Sequence, residues 1–326
     1  MEELQIPVIS VVVPLYNEAA GLATFHKALV KQLNAVSKDS YELIYCDDGS
    51  LDDTAKVVQK FIASNKKVRL LRLTRNFGKE NALTAGISVA KGQAIIMIDG
   101  DGQHPVELLP EFIASWKKGS RVVIGLRSRS KNENYIKRLS SNWFYKIFNQ
   151  LTNNELVSGA TDFRLIDRSV QQAFLAIEET DRITRGLIDW LGFQPTYISF
   201  DVRPRIAGNA SYSNRKLIRL AANSFVSLSP KPLYMFGYLG ILITFSAFIL
   251  GLAVLIEQLL LGDPLHWKFT GTAMLGILIL FLVGIVLMSQ GILSLYISHI
   301  HSQSKGRPLY VVDYNQSVGI KTNDGV

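Results

Sequence analysis

Cysteine is nearly absent from this chain of 326 residues, which contains only Cys46. A single thiol cannot form an internal disulfide bond, and this excludes the class of small secreted domains that disulfides hold together. Cys46 ends the predicted strand 41–46, so we interpret it as an unreactive thiol on a buried strand. The sequence favours a reducing compartment and gives no support to cysteine catalysis.

Several binding and targeting motifs are also missing. No G-x-G-x-x-G follows the first apolar run, and no G-x-x-x-x-G-K-[ST] occurs, so neither a dinucleotide-binding fold nor a P-loop is indicated. The net charge is +8, but no recognised nucleic-acid-binding motif accompanies it, and we expect no nucleic-acid partner. The chain begins Met-Glu-Glu and reaches an apolar run by Val8, so we expect no signal peptide.

Acidic residues are missing from one long region, because none occurs between positions 202 and 256. Another region, 121–146, has seven basic residues and a single acid, Glu133. Such basic stretches usually mean an anionic partner. Since they lie close to long apolar runs in the sequence, the phosphate layer of a membrane is the partner that we favour.

Two runs lack any charge: residues 233–256, with 24 positions, and residues 271–298, with 28. Each is long enough as a helix to cross a hydrocarbon core of about 30 Å, and we predict two transmembrane helices. Two buried core helices are the alternative, but they would have to be apolar on every side within a modest domain. Glycines in both runs would permit close helix packing, which leaves homo-oligomerisation open.

Basic residues flank both runs, at Arg215, Lys216, Arg219 and Lys231 before the first and at Lys305 and Arg307 after the second. The positive-inside rule therefore predicts an integral protein of the plasma (inner) membrane with its large amino-terminal domain in the cytoplasm. The predicted organisation is a catalytic domain 1–210, an amphipathic juxtamembrane helix 211–231, the transmembrane pair 232–300 and a cytoplasmic tail 301–326. A second amphipathic stretch lies at 143–151, and for both stretches we favour the membrane surface, with a helix packed on the core as the alternative. We expect the polar tail from Asn315 onward to be loose.

Strands alternate with helices in the first half of the chain. Apolar runs predict strands at 8–15, 41–46, 68–73, 94–98 and 121–125, and helical spacing predicts helices near 19–36, 52–64, 79–90 and 105–117. This alternation is typical of an α/β fold with a mainly parallel, Rossmann-like nucleotide-binding sheet covered by helices on both faces.

Asp99 and Asp101 directly follow the apolar run 94–98. Ligands of parallel sheets collect at the carboxyl ends of the strands, and hard divalent cations prefer carboxylate oxygens shared with substrate phosphates. The two Asp-Gly pairs could instead form a hairpin turn. Helix-like sequence starting at Pro105 follows them rather than a second strand, so we favour a site for a metal and a diphosphate.

Four polar groups stand at predicted strand ends, namely residues 14–18, 47–53, 75–79 and 99–105. Each alone is a weak signal, since the Asp-Asp-Gly-Ser at 47–50 also suits a helix-capping loop. Together they predict one crevice that holds a nucleotide whose diphosphate is bound through metal. Asp48 would be available there to hydrogen-bond base or ribose.

With residues 161–165 and 203–211, these groups resemble the membrane-anchored family-two glycosyltransferases of the glycosyltransferase-A fold, specifically the polyprenyl-phosphate hexosyltransferases related to dolichol-phosphate mannose synthase and bactoprenol glucosyltransferases. The resemblance implies a nucleotide-sugar donor, Mg²⁺ or Mn²⁺, a polyisoprenyl phosphate acceptor and inversion at the anomeric carbon. It implies donor contacts from Pro14, Tyr16, Glu18, Asp48, Gly78, Lys79 and Asp99, and metal contacts from Asp99, Asp101 and Gln103. The sequence departs from the pattern at Gly102, where a larger apolar residue is common, and at Asn209 and Ala210, which replace a more polar stretch.

The chemistry also follows from the acceptor itself. A phosphate monoester has a second pKa of about 6, so it can attack with little help from a base, and catalysis becomes positioning plus stabilisation of charge. Asp101, through metal, would offset the charge on the leaving nucleoside diphosphate. The resemblance makes Asp162 the second catalytic candidate, as a base or as an orienting group, and the alternative is a structural partner of Arg164 or another arginine. His104 is expected to be a loop residue rather than a metal ligand.

Arginines are the natural seat of the acceptor phosphate, because guanidinium binds phosphate in a fork. We predict Arg127 and Arg129 first, and then Arg138, Arg203, Arg205 and Ser211. A solvated basic face is the alternative for each arginine.

The leading hypothesis is an inverting hexosyltransferase that acts on polyprenyl phosphate at the cytoplasmic membrane face, with UDP-glucose as the favoured donor. A processive polysaccharide synthase is disfavoured, because residues 185–190 lack the glutamine-rich motif with arginine directly before tryptophan and two spans are few for a polymer channel. A membrane-tethered nucleotide-sugar sensor or scaffold without turnover remains the alternative from another class.

Overall fold

The computed structural model describes residues 8–37, 40–128, 157, 159–179, 182–201, 242, 245, 249 and 271–320. The chain forms two compact units. The first unit comprises Met1–Lys146, Asn154–Ser211 and Arg307–Val326, and the second comprises Ile147–Asn153 and Tyr212–Gly306.

A seven-stranded sheet is the centre of the first unit. Its strands are β1 (Ile9–Leu15), β2 (Tyr41–Asp47), β3 (Val68–Arg72), β4 (Ala94–Met97), β5 (Val122–Arg127), β6 (Ala160–Asp167) and β7 (Pro195–Phe200), in the spatial order β3-β2-β1-β4-β6-β5-β7. Most neighbours are parallel, and β6 alone runs antiparallel to both of its neighbours, β4 and β5. The predicted mainly parallel α/β sheet is confirmed.

Helices cover both faces of this sheet. They are α1 (Ala19–Ser37), α2 (Thr54–Ser64), α3 (Lys79–Val89), α4 (Leu109–Lys117), α5 (Arg168–Leu175) and α6 (Thr184–Trp190), with a 3₁₀ turn at Val106–Leu108 before α4. Apolar side chains of α1, α2 and α4 join one core cluster, and those of α3, α5 and α6 join a second. Alternate residues of a strand serve opposite faces, as Val11 and Val12 of β1 do, and this explains why the inner strands read as continuous apolar runs.

The five predicted strands and four predicted helices are all confirmed, but β6, β7, α5 and α6 were missed. β6 begins Ala-Thr-Asp-Phe-Arg, where polar and charged residues interrupt the apolar pattern. Cys46 lies fully buried on β2, which confirms the predicted place of this thiol on a buried strand, and burial raises its pKa.

The carboxy-terminal residues are docked on the sheet, so the expectation of a loose tail is wrong for the part of it that the structure describes. Isolated antiparallel bridges join Leu70 to Val318 and Leu73 to Val312, beside the edge strand β3. Val312 is buried in the second core cluster. Apolar side chains hidden among polar ones in the sequence therefore fix this segment to the first unit.

The second unit contains α7 (Gly271–Ser304), a helix of 34 residues that includes the predicted run 271–298. Among the residues that the structure describes, no helix meets the length and hydropathy required of a membrane span. The predicted helix 211–231, the stretch 143–151 and all of the run 233–256 except Leu242, Phe245 and Ile249 lie outside the described residues. Membrane insertion therefore stays a prediction.

Candidate active site

The loop after β1 is joined to the loop after β2 by their polar groups. Asn17 has a left-handed backbone with a φ of 56°, and its N–H donates to Ser50 Oγ at 3.0 Å. Its side-chain oxygen accepts the Leu51 N–H at 2.9 Å. Thr54 Oγ1 accepts the Glu18 N–H at 2.9 Å. These contacts bring the first two predicted groups together.

Asp48 joins the loop after β2 to the loop after β3. Its carboxylate accepts the N–H groups of Phe77 at 2.7 Å and of Gly78 at 2.9 Å, and burial raises its pKa. Both oxygens thus hold the residues that lead into α3, in addition to any contact with a base or ribose. Gly49 has a φ of +65°, and a Cβ there would lie 2.5 Å from the Arg75 carbonyl carbon, so only glycine fits this close approach.

Lys79 is the centre of the constellation, because its ammonium joins two carboxylates from different strands. Its Nζ lies 2.7 Å from Asp99 Oδ1 and 2.8 Å from Asp162 Oδ2. Burial alone would lower the pKa of Lys79, but the two carboxylates raise it well above its usual value. The third and fourth predicted groups therefore meet at a charged lysine, together with Asp162.

Asp162 lies on β6 and is held ionised. Burial alone would raise its pKa, but the neighbouring Lys79, with a contribution from Arg185, lowers it. Arg164 is not its direct partner. The Arg164 side chain is only 1% exposed and donates to both carboxylate oxygens of Asp189, at 2.6 and 3.3 Å. Asp162 is thus an anion that faces Lys79.

The predicted metal ligands lie on one tight loop after β4. The Gln103 N–H donates to Asp101 Oδ1 at 3.0 Å, and the intervening Gly102 has a φ of +75°, which explains glycine where a larger residue was expected. No group of three or more His, Cys, Asp or Glu side chains suited to a metal occurs in the described ranges. Two carboxylates and one carboxamide suit a cation that takes its other ligands from substrate phosphates, as Mg²⁺ usually does.

His104 is a buried loop residue. Its ring lies 5.4 Å from the Phe163 ring and 5.8 Å from the Phe200 ring, and Nδ1 accepts the Asp99 N–H at 3.5 Å. Burial lowers its pKa, so it is neutral near pH 7. A neutral ring that supports the backbone of Asp99 agrees with the predicted loop role.

The remaining predicted residues differ in what the structure describes. Pro14 lies near the end of β1, and Tyr16 and Glu18 lie in the loop that follows, with Tyr16 42% exposed. Arg127 is the last residue of β5 rather than part of a following loop, and its N–H donates to the Gly159 carbonyl at 2.8 Å. Its side chain is exposed. The other acceptor candidates, Arg129, Arg138, Arg203, Arg205 and Ser211, lie outside the described residues.

Sequence reasoning missed two charged residues beside Asp162. Glu80, in the first turn of α3, accepts the Thr184 N–H at 2.9 Å and so fixes the start of α6. Arg185, which follows Thr184 in α6, is exposed, and its positive charge helps lower the pKa of Asp162. No local sequence pattern links Arg185 to Asp162, because contacts between α3, β6 and α6 bring them together.

Known proteins resemble this chain over most of its length. The model of the family described as "Glycosyl transferase family 2" matches residues 10–174, which include the four polar loops and Asp162. The chain is 35% identical over 304 residues to an uncharacterized glycosyltransferase of Synechocystis, covering 93% of this chain and 94% of the relative. It is 34% identical to the bactoprenol glucosyl transferase of Shigella phage SfV, covering 93% and 97% of the two chains.

Solved structures share the architecture. Glucosyl-3-phosphoglycerate synthase from Mycobacterium tuberculosis, in complex with Mn²⁺, uridine diphosphate and phosphoglyceric acid, matches with a TM-score of 0.50 at 20% identity. The match covers 68% of this chain and 77% of the synthase. At this identity the similarity shows the fold, which is the glycosyltransferase-A arrangement of a mostly parallel sheet.

Proposed function

Because the chain belongs to glycosyl transferase family 2 and is a glycosyltransferase, we propose that it transfers a hexose from a nucleoside diphosphate sugar to a polyisoprenyl phosphate, with inversion, at the cytoplasmic face of a membrane. The observation that carries the proposal is the bridge of Lys79 between Asp99 and Asp162. It unites the loop suited to a metal-bound diphosphate with the carboxylate suited to the reacting sugar and acceptor. Relatives named bactoprenol glucosyl transferase support the lipid acceptor and the choice of glucose.

The loop after β4 forms the donor half of the proposed site. Asp99, Asp101 and Gln103 would hold Mg²⁺ or Mn²⁺, which when bound supplies positive charge to the leaving nucleoside diphosphate. Lys79 adds a second fixed positive charge beside Asp99. Pro14, Tyr16, Glu18 and Asp48 line the loops in which we place the nucleotide.

The acceptor half of the site needs positive charge more than a base. Near neutral pH a phosphate monoester is mostly dianionic, its second pKa being about 6, so one of its oxygens can form the new bond to the anomeric carbon. The bond from that carbon to the nucleoside diphosphate oxygen breaks as the new one forms, which inverts the configuration. Asp162, with its lowered pKa, is a weak base, and we assign it to orienting the sugar and Lys79. Among the residues that the structure describes, the exposed arginines Arg127 and Arg185 are the candidates for binding the acceptor phosphate.

The membrane location rests on the sequence and on the second unit. Residues 271–298 carry no charge, and several large apolar side chains of α7 are exposed, among them Leu275, Val286 and Ile300. Exposed apolar surface of this extent suits lipid or further helices. We propose an integral protein of the plasma (inner) membrane, with the first unit in the cytoplasm.

The test is a panel of labelled donors offered to the full-length protein in membranes. UDP-glucose, UDP-N-acetylglucosamine and GDP-mannose are each incubated with undecaprenyl phosphate and Mg²⁺ or Mn²⁺, and label that enters organic solvent is counted. The proposal predicts transfer from one donor, with UDP-glucose expected. Binding without transfer from any donor would contradict it in favour of a sensor, and label in a water-soluble polymer would contradict it in favour of a processive synthase.

A further inference from the structure

We propose that the carboxy-terminal strap, residues 310–320, fixes the loop 47–50 of the donor-nucleotide pocket through the side chains of Gln316 and of the positioning residue Arg72. The inference rests on the proposed function, because it assigns the nucleotide of the donor to that pocket. It adds a segment far from the family motifs in the sequence.

The backbone of the strap is hydrogen-bonded along β3 and just beyond it. Val318 and Leu70 exchange both N–H groups, at 2.8 and 3.0 Å. The Asp313 N–H donates to the Arg72 carbonyl at 2.8 Å, and the Thr74 N–H donates to the Val311 carbonyl at 3.0 Å. The strap therefore holds β3 and the start of the segment that leads to Lys79.

Side chains extend this contact to the next strand. The Arg72 guanidinium donates to the Gln316 side-chain oxygen of the strap and to the Ser50 carbonyl, the latter at 3.1 Å. Its Nε lies 3.2 Å from Asp47 Oδ2, on a carboxylate that is 0% exposed. One planar guanidinium thus joins the strap to both ends of the loop 47–50, a task that needs the fixed fork of arginine.

The loop 47–50 in turn sets residues that we place on the nucleotide. Asp48 accepts the N–H groups of Phe77 and Gly78, immediately before Lys79. Ser50 Oγ accepts the Asn17 N–H from the loop after β1. A displacement of the loop 47–50 would therefore move donor contacts on the loops after β1, β2 and β3.

Protection of an edge strand is the simpler explanation of the strap, since an uncovered edge invites pairing with other chains. Backbone pairing at Leu70 and burial of Val312 are sufficient for that purpose. They do not require a guanidinium that reaches Asp47 and Ser50. The two explanations differ in what the Arg72 and Gln316 side chains do for nucleotide binding.

The experiment measures nucleoside diphosphate affinity of the full-length protein without lipid acceptor, together with KM for donor and for acceptor, kcat and the melting temperature. We compare Arg72→Gln, Arg72→Lys and Gln316→Leu. Asn315→Leu is the matched control, because Asn315 is the exposed neighbour of Gln316 in the same turn. Arg72→Gln is expected to weaken donor affinity about tenfold and Gln316→Leu about threefold, as loss of charge-assisted hydrogen bonds predicts. Arg72→Lys should recover part of the loss, and acceptor KM and the control should be unchanged.

Unchanged donor affinity in Arg72→Gln and Gln316→Leu would overturn the inference. The inference would also be overturned if KM for donor and KM for acceptor rose equally, in proportion to the drop in melting temperature. That result is expected when the strap only stabilises the fold. If Arg72→Gln does not fold, Gln316→Leu against Asn315→Leu decides alone. A wild-type protein that binds a nucleoside diphosphate but transfers no sugar would refute the proposed function. The effect of the strap variants on nucleotide affinity could still be measured. A wild-type protein that binds no nucleoside diphosphate would refute the inference about the strap.

Discussion

Replacing Asp162 by asparagine separates the reaction from donor binding. The change removes one of the two carboxylates that contact Lys79, at 2.8 Å, and leaves Asp99 in place at 2.7 Å. Because Lys79 keeps a partner and the site is partly exposed, we expect a loss of about 1 kcal/mol in unfolding free energy. Asparagine cannot supply the negative charge that orients Lys79 and the sugar, and because misplaced reacting groups slow the chemical step, turnover should fall about 10²-fold.

Donor affinity is expected to stay within about threefold in this variant, which corresponds to about 0.6 kcal/mol. Single-turnover transfer of label to lipid measures the chemical step, and nucleotide titration measures binding. Asp167→Asn is the matched control on the same strand, because Asp167 accepts hydrogen bonds from Trp116 and Ser169 and caps α5. It should keep its turnover. Turnover in Asp162→Asn within threefold of the wild type would refute the role given to Asp162.

Three further predictions concern charge, backbone and pH. Lys79→Met should lower unfolding free energy by about 1 to 2 kcal/mol, a modest figure because the side chain is 36% exposed, and should abolish turnover; a melting curve and the lipid assay check both. Gly49→Ala should cost about 2 kcal/mol or more in urea unfolding, whereas Gly192→Ala, with a φ of +75° and no neighbour within 4 Å of its Cβ, should cost only about 1 kcal/mol. Burial lowers the pKa of His26 from 6.5 to about 4, so the folded state takes up its proton less readily than the unfolded state, and stability present above pH 6.5 is lost as the pH falls towards 4. Between pH 7 and 5, His26→Phe should remove about 2 kcal/mol of that acid-dependent loss, although losing the hydrogen bond to Tyr45 lowers stability at every pH; an unchanged pH dependence would contradict this.

The fold could be predicted where the residue pattern within a single strand is enough to identify that strand. β1, β2 and β4 are buried on both faces, so their apolar runs predicted both the positions of the strands and a parallel sheet. The polar loops after β1, β2, β3 and β4 followed, because carboxyl ends of parallel strands meet at one edge. Their mutual hydrogen bonds show that the four loops lie together, and the crevice for a nucleotide stays a prediction.

The parts that were missed depend on contacts distant in sequence. β6 inserts antiparallel between β4 and β5, and its polar start at Thr161 and Asp162 serves the site rather than a core. The partner of Asp162 proved to be Lys79, since Arg164 is taken by Asp189. Arg185 is positioned by α6, and the strap is positioned by its hydrogen bonds to β3. Local periodicity contains no record of such pairings.

The most direct test of the central claim is a two-phase transfer assay with labelled UDP-glucose, in which undecaprenyl phosphate and the divalent cation are withheld in turn. We predict that label enters the organic phase only when both are present and that EDTA stops the transfer. Transfer that persists without lipid acceptor or after EDTA would contradict the account, as would the absence of transfer in the complete mixture with every donor of the panel.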